Sequence, residues 1–229
     1  MDMKKLVIPQ PDLVTLPILG IEEFFPVRRI YCIGRNYADH AIEMGFDPKE
    51  DPFFFQKNSN NIDLSGTFPY PSESEDVHHE VEMYFALKSG GSNILEKDAQ
   101  KHIFGFGIGI DMTRRDLQAN SKKMGRPWEI GKAFEKSAPM GPITKIEDCG
   151  MMERGGISLK VNGQIRQEGD LNMMIWKVPM QIAHLSRFYD IAAGDIIMTG
   201  TPAGVGPVAK GDLLEAHIEK LGRIEVKVI

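Results

Sequence analysis

Cysteine is nearly absent from this chain. Cys32 and Cys149 are the only two in 229 residues, far apart and outside any CxxC pattern. That excludes a disulfide framework and a zinc ribbon, and fits free thiols in a reducing compartment. Long apolar runs are missing too. The opening MDMKKLVIPQPDLVTLPI carries lysines, but prolines interrupt it before a continuous apolar stretch forms. Neither a signal-peptide core nor a membrane span is expected, and the expected location is cytoplasmic. Nor does positive charge dominate: 27 Lys and Arg against 32 Asp and Glu leave a formal net charge of −5. Such a balance lacks the basic surface that nucleic acids and anionic membranes require.

Several catalytic signatures are also missing. HEVEM places Met83 where a zinc protease has its second histidine. No G-x-S-x-G elbow occurs. The glycines of FGFGIGI fall within a strand pattern and lack dinucleotide-loop spacing, and GTPAGVGPVAKGD lacks the contiguous Gly-Lys-Ser/Thr of a P-loop. Internal repeats and low-complexity tracts are absent.

What remains is an ordinary globular composition, 42% hydrophobic and 26% charged. Residues 1–27 read as a small N-terminal extension packed on the core, and 28–229 as one catalytic domain. RRIYCIG, FFFQK, HHEVEMYFALK, FGFGIGIDMT and GDIIMTG read as strands. Asn162-Gly163 predicts a type I′ hairpin, and the C-terminal LLEAHIEKLGRIEVKVI a second hairpin. Short helices are expected after Asn36, over EKDAQKHIFG, after Thr113 as its cap, and after Pro179. Strands outnumber helices without sustained βαβ alternation, so the fold class is mixed, β-rich α+β.

Within these elements, polar residues recur where apolar ones are expected. Glu80 and Glu82 are i, i+2 on a strand, so two carboxylates share one face roughly 6.5–7 Å apart. Asp111 closes the apolar run FGFGIGI. A hard divalent cation is the simplest way to hold such a set, and by pattern alone an exposed acidic face remains an equal alternative. His40 and Glu43 are i, i+3, which would let a carboxylate orient an imidazole as general base; a solvent-facing pair has the same spacing. Arg35, Arg115, Gln118 and Lys132 are candidate donors to an anionic substrate, and Thr201 ends a strand in TGTP. His78 and His79 are expected to be structural or to support the metal ligands from behind.

YCIGRNYADHAIEMG, HHEVEMYFALK, GFGIGIDMTRRDLQ, GRPWEIGKAFEKSAP, LKVNGQIRQEGD and GDIIMTGTPAGVGPV occur in this order. Together they resemble the fumarylacetoacetate hydrolase superfamily over about residues 27 to 229, most closely its short acylpyruvate hydrolases such as bacterial fumarylpyruvate hydrolases of gentisate degradation. The resemblance implies a mixed β-sandwich roll with short helices and a lid helix, a homodimer, and Mg²⁺ or Mn²⁺. It implies metal ligation by Glu80, Glu82 and Asp111, and a lid pair of His40 and Glu43. Lys132 would be catalytic, and Arg115, Gln118 and Thr201 would contact a small 2-oxo acid, with Arg35 a further candidate contact from the residue reading alone. The implied reaction is hydrolysis of a 3-acylpyruvate. Oxaloacetate decarboxylation, acetylpyruvate hydrolysis and 2-oxo-dienoate isomerisation or hydration are alternatives in the same site. One departure is Asn58, which follows FFFQK where the family commonly has proline.

Overall fold

The computed structural model describes residues 6–37 and 51–229. His40, Glu43 and the expected lid helix lie outside the described residues. Two sheets form the frame. A six-stranded sheet runs in the order Thr144–Lys145, Ile103–Ile110, Val81–Leu87, Asp195–Met198, Arg29–Gly34, Phe53–Lys57. Its neighbours are antiparallel except Asp195–Met198 and Arg29–Gly34, which are parallel. A five-stranded sheet runs Gln164–Asp170, Gly156–Val161, Leu213–Ile218, Gly222–Val228, Thr67–Phe68. The result is the expected strand-rich α+β roll. Asn162 and Gly163 take φ of 52° and 78° between the paired strands, as a type I′ turn requires.

Alternation along the central strands divides the core. Met83, Phe85 and Leu87 join Phe106, Leu159, Leu214 and Val226 in the larger cluster. Tyr84 and Ala86 face the other way, with Ile30, Cys32, Ile196 and Met198, under Leu16 and Phe25 of the hairpin Thr15–Pro17/Phe24–Pro26. Val81–Leu87 is therefore buried on both faces. The pattern EVEMYF suggested a half-buried strand; the N-terminal hairpin covers the face left open in that reading.

The expected single strand HHEVEMYFALK is broken at Glu80. Val77–His79 pairs with Thr113–Arg114 and Gly206–Pro207 in a small separate sheet, while Val81–Leu87 stays in the six-stranded one. Its neighbour breaks likewise after Ile110, and Asp111 N–H donates to Glu80 O at 2.8 Å across the gap. Two adjacent strands thus change sheets together, with an acid at each break.

Smaller differences have local causes. Thr113 does not cap the following helix, Arg115–Lys123; Arg114 stands at the N-cap, and the Thr113 hydroxyl donates to Asp111 O at 3.1 Å. The short helix expected over EKDAQKH is present and is 3₁₀. Asn58 begins the 3₁₀ turn Ser59–Asn61, and its N–H donates to Asn61 Oδ1 at 2.9 Å, a bond that proline has no hydrogen to make. Among the described residues, no helix is long and apolar enough to cross a membrane.

Candidate active site

The two strand breaks bring Glu80, Glu82 and Asp111 together. All three are buried, and one carboxylate oxygen from each lies within 4.8 Å of the others. Like charges that close need compensation. Lys132 Nζ donates to Glu80 Oε2 at 2.8 Å, to Asp111 Oδ2 at 2.6 Å and to Thr113 Oγ1 at 2.7 Å. Burial opposes the Lys132 charge, but Asp111 and Glu80 outweigh it and hold the ammonium above the ordinary lysine pKa.

Glu82 is the exception. Among the described residues no cationic side chain lies within ion-pair distance of it. It accepts the Gly200 N–H at 2.8 Å. Burial, then Asp111 and Glu80, push its carboxyl well above the usual range. Asp111 Oδ1 is also sealed from solvent without an aligned hydrogen bond. A carboxylate short of a counter-charge and an all-oxygen donor set fit a hard divalent cation. Gly200 takes φ +90°, and a Cβ there would fall 2.9 Å from Asn36 Cβ, so glycine alone brings that N–H to Glu82 without strain.

Arg115 is oriented on three sides. Its Nε donates to His78 Nδ1 at 3.3 Å, Nη1 donates to Gln118 Oε1 at 2.7 Å, and Nη2 donates to Glu80 Oε1. His78 in turn donates from Nε2 to Asp76 Oδ1 at 2.9 Å. Burial, then the Arg115 charge, lower the His78 pKa, so the neutral ring is the acceptor Arg115 needs. Since Gln118 accepts through Oε1, its amide nitrogen is the end available to donate. His79 donates from Nδ1 to Gln167 Oε1 at 2.9 Å.

Gln167 is a residue that sequence reasoning missed. It is buried, accepts Val81 N–H at 3.0 Å, and donates to Thr201 Oγ1 at 2.7 Å and Pro202 O at 2.9 Å. Thr201 donates its hydroxyl to Val81 O at 2.7 Å. That proton is committed to the fold, so the Thr201 side chain faces the cleft as an acceptor. Lys57 was missed as well. Its buried ammonium donates to Met112 O at 3.3 Å, Ser137 Oγ at 2.9 Å and Lys132 O, and lies 2.8 Å from Asp111 Oδ1. Lysine in the family's F-x-K-P segment was the available signal.

Glu80, Glu82, Arg115, Gln118, Lys132, Gly200 and Thr201 line one cleft. Phe53, Phe55 and Trp128 form its aromatic wall. Arg35 reaches it from a left-handed backbone, φ 63°, which costs about 1–2 kcal/mol. Asn36 holds that conformation: its side chain donates to Thr199 O at 2.8 Å and Trp176 O at 3.1 Å, and accepts Trp176 N–H at 2.7 Å. Gly34 leaves room for the Phe53 ring, whose edge would lie 2.1 Å from any Cβ there.

Comparison with known proteins identifies the family. The family model "fumarylacetoacetate (FAA) hydrolase C-terminal" matches residues 29–229. The chain is similar to a crystal structure of fumarylpyruvate hydrolase from Pseudomonas aeruginosa in complex with Mn²⁺ and pyruvate, at 43% identity and TM-score 0.96, covering 98% of this chain and 99% of that one. It is 41% identical to the Escherichia coli oxaloacetate tautomerase YcgM, over 83% of this chain and 88% of that protein. A mouse mitochondrial oxaloacetate tautomerase, FAHD1, is 38% identical over 88% of this chain and 91% of that protein.

Proposed function

The chain is an enzyme of the fumarylacetoacetate hydrolase family, and from that premise we propose that it hydrolyses the C–C bond of a 3-acylpyruvate, fumarylpyruvate being the favoured substrate. The observation that carries this reading is the buried triad Glu80, Glu82 and Asp111, set beside Lys132 and Arg115 at the floor of a cleft. The similarity to the Pseudomonas fumarylpyruvate hydrolase, whose structure holds Mn²⁺ and pyruvate, supports this reading.

Glu80, Glu82 and Asp111 would hold Mg²⁺ or Mn²⁺, which would supply Lewis acidity toward the 2-oxo acid end of the substrate. Arg115 fixes the substrate carboxylate with the N–H groups its protein partners leave over, and Gln118 donates from its amide nitrogen. His40, oriented by Glu43, takes a proton from the water that attacks the distal acyl carbonyl. The bond between C3 and C4 breaks, its electron pair passes to the pyruvate enolate, and C3 is then protonated. Lys132 places fixed positive charge beside that developing enolate. Fumarate and pyruvate leave. A homodimer in the cytoplasm, with residues 1–27 as an extension of the 28–229 catalytic domain, completes the proposal.

The two tautomerases favour a second reading, enolisation of oxaloacetate, in which the same donors act without an attacking water. Assaying fumarylpyruvate, acetylpyruvate and oxaloacetate side by side with added metal distinguishes them. Hydrolysis of fumarylpyruvate is expected to be fastest, and comparable turnover of oxaloacetate would overturn the substrate assignment.

A further inference from the structure

Asp76, an acid that the proposed reaction does not use, holds Arg115 twice. Its carbonyl accepts the Arg115 N–H at 2.7 Å. Its half-exposed carboxylate reaches the Arg115 side chain through His78, accepting from Nε2 at 2.9 Å while Nδ1 lies 3.3 Å from Arg115 Nε. Local structure explains the placement. Asp76 directly precedes the strand Val77–His79, and residues two apart on an extended segment share a face, so the Asp76 and His78 side chains lie together. Thr113 pairs with His78 and Arg114 with Val77, which delivers Arg115, the first residue of its helix, to that face. The segment before the strand is itself anchored to the helix. Asp116 Oδ1 accepts from Ser74 Oγ at 2.7 Å, and Oδ2 accepts the Glu75 N–H at 3.0 Å.

Donors and acceptors along this chain allow one arrangement. An arginine Nε can only donate. His78 Nδ1 must therefore accept, the ring proton sits on Nε2, and the Asp76 carboxylate is the acceptor that Nε2 needs. In the other tautomer an Nδ1–H would face the Arg115 Nε–H, and attraction would become repulsion. A half-exposed acid beside a histidine ordinarily contributes little by itself. Here it decides which ring nitrogen is left to hold Arg115. With Nε fixed, the guanidinium stays in the plane where Nη1 meets Gln118 Oε1 at 2.7 Å and Nη2 meets Glu80. An unheld arginine would have to order its long side chain as substrate binds, and binding would weaken accordingly.

We infer that Asp76 is a positioning residue for the substrate carboxylate: by keeping the His78 ring in its Nε2–H tautomer, it presets the Arg115 guanidinium before substrate arrives. The inference rests on the reading of Arg115 as the carboxylate's ligand, but its test does not depend on turnover.

Nitrogen NMR of the histidine rings in the Mg²⁺-loaded protein, with the His78 signals assigned by their loss in His78→Gln, should show a neutral ring protonated on Nε2. Pyruvate is the probe for binding, titrated into the Mn²⁺-loaded protein by calorimetry. Asp76→Ala should weaken pyruvate about threefold to tenfold, the scale of one hydrogen bond, with Mn²⁺ affinity unchanged. Asp76→Asn keeps an acceptor oxygen and should retain most of the pyruvate affinity. On an Arg115→Lys background, Asp76→Ala should weaken pyruvate no further, because Asp76 acts through the guanidinium. A wild-type His78 ring protonated on Nδ1, an Asp76→Ala protein that binds pyruvate as the wild type does, one that loses Mn²⁺ and pyruvate in equal measure, or the same loss in both backgrounds would each overturn the inference. Failure of the wild type to hydrolyse any acylpyruvate would instead sink the proposed reaction and leave these binding ratios standing.

Discussion

Lys57 Nζ lies 2.8 Å from Asp111 Oδ1, with both side chains sealed from solvent. The same ammonium donates to Met112 O, Lys132 O and Ser137 Oγ, so it ties one candidate metal ligand to the turn that carries Lys132. Removing one member of a buried charge pair strands the other, at a cost of about 3–5 kcal/mol. Lys57→Met keeps most of the volume and should lose stability of that order in urea unfolding of the metal-free protein. A loss below about 1 kcal/mol would mean that Lys57 contributes only packing.

Glu82 couples stability to pH. Its carboxyl is pushed up by burial, Asp111 and Glu80, against Lys132 and the Gly200 N–H, which act in the other direction. A carboxyl raised in the folded state contributes stability that is complete below the ordinary carboxylate range and lost as pH climbs through the raised value. The Tm of the metal-free protein should therefore fall as pH rises from about 4 toward neutrality. Saturating Mn²⁺ should flatten that slope. Glu82→Gln should raise the metal-free Tm at neutral pH and abolish Mn²⁺ binding. A Tm that rises with pH in the metal-free protein would count against this.

Gln167 joins segments far apart in sequence through one buried amide. Its oxygen accepts Val81 N–H and His79 Nδ1–H, and its nitrogen donates to Thr201 and Pro202. Gln167→Leu leaves the Val81 N–H buried without its acceptor, at about 1–3 kcal/mol, and takes a donor away from Thr201 Oγ1. Chemical denaturation should register that loss. Unchanged stability would show that water replaces the amide.

Arg115 meets His78, Gln118 and Glu80 along three directions of one plane. An ammonium cannot reproduce that fork. Arg115→Lys should stay folded and lose about 10–100-fold in kcat/KM on an acylpyruvate, chiefly through KM. Equal loss in kcat alone would place Arg115 at the transition state rather than in substrate binding.

The sequence held the carboxylates legibly because their spacing is local: Glu80 and Glu82 are two apart, and Asp111 ends an apolar run. It did not show that both strands break there, since breakage depends on Asp111 N–H pairing with Glu80 O across adjacent strands. Gln167 reads as an exposed hairpin residue in IRQEG. A register shift between Leu159 and Lys160 irregularises its strand pairing, and its partners lie as far away as Val81. Lys57 was hidden for the same reason: a lysine at a strand end is ordinarily solvated, and only the tertiary fold surrounds it with acceptors.

His40 and Glu43 are assigned to water activation on the resemblance, and their role separates cleanly from that of the carboxylates. Asp111→Ala should remove Mn²⁺ binding and hydrolysis together, because Asp111 supplies one of the three triad oxygens. His40→Ala removes a proton acceptor and no triad oxygen. General-base loss typically costs about 10²–10⁴-fold in rate. His40→Ala should therefore lose hydrolysis on that scale while Mn²⁺ and pyruvate still bind in calorimetry. If His40→Ala loses Mn²⁺ binding, the imidazole belongs among the metal ligands, and another residue must take the proton.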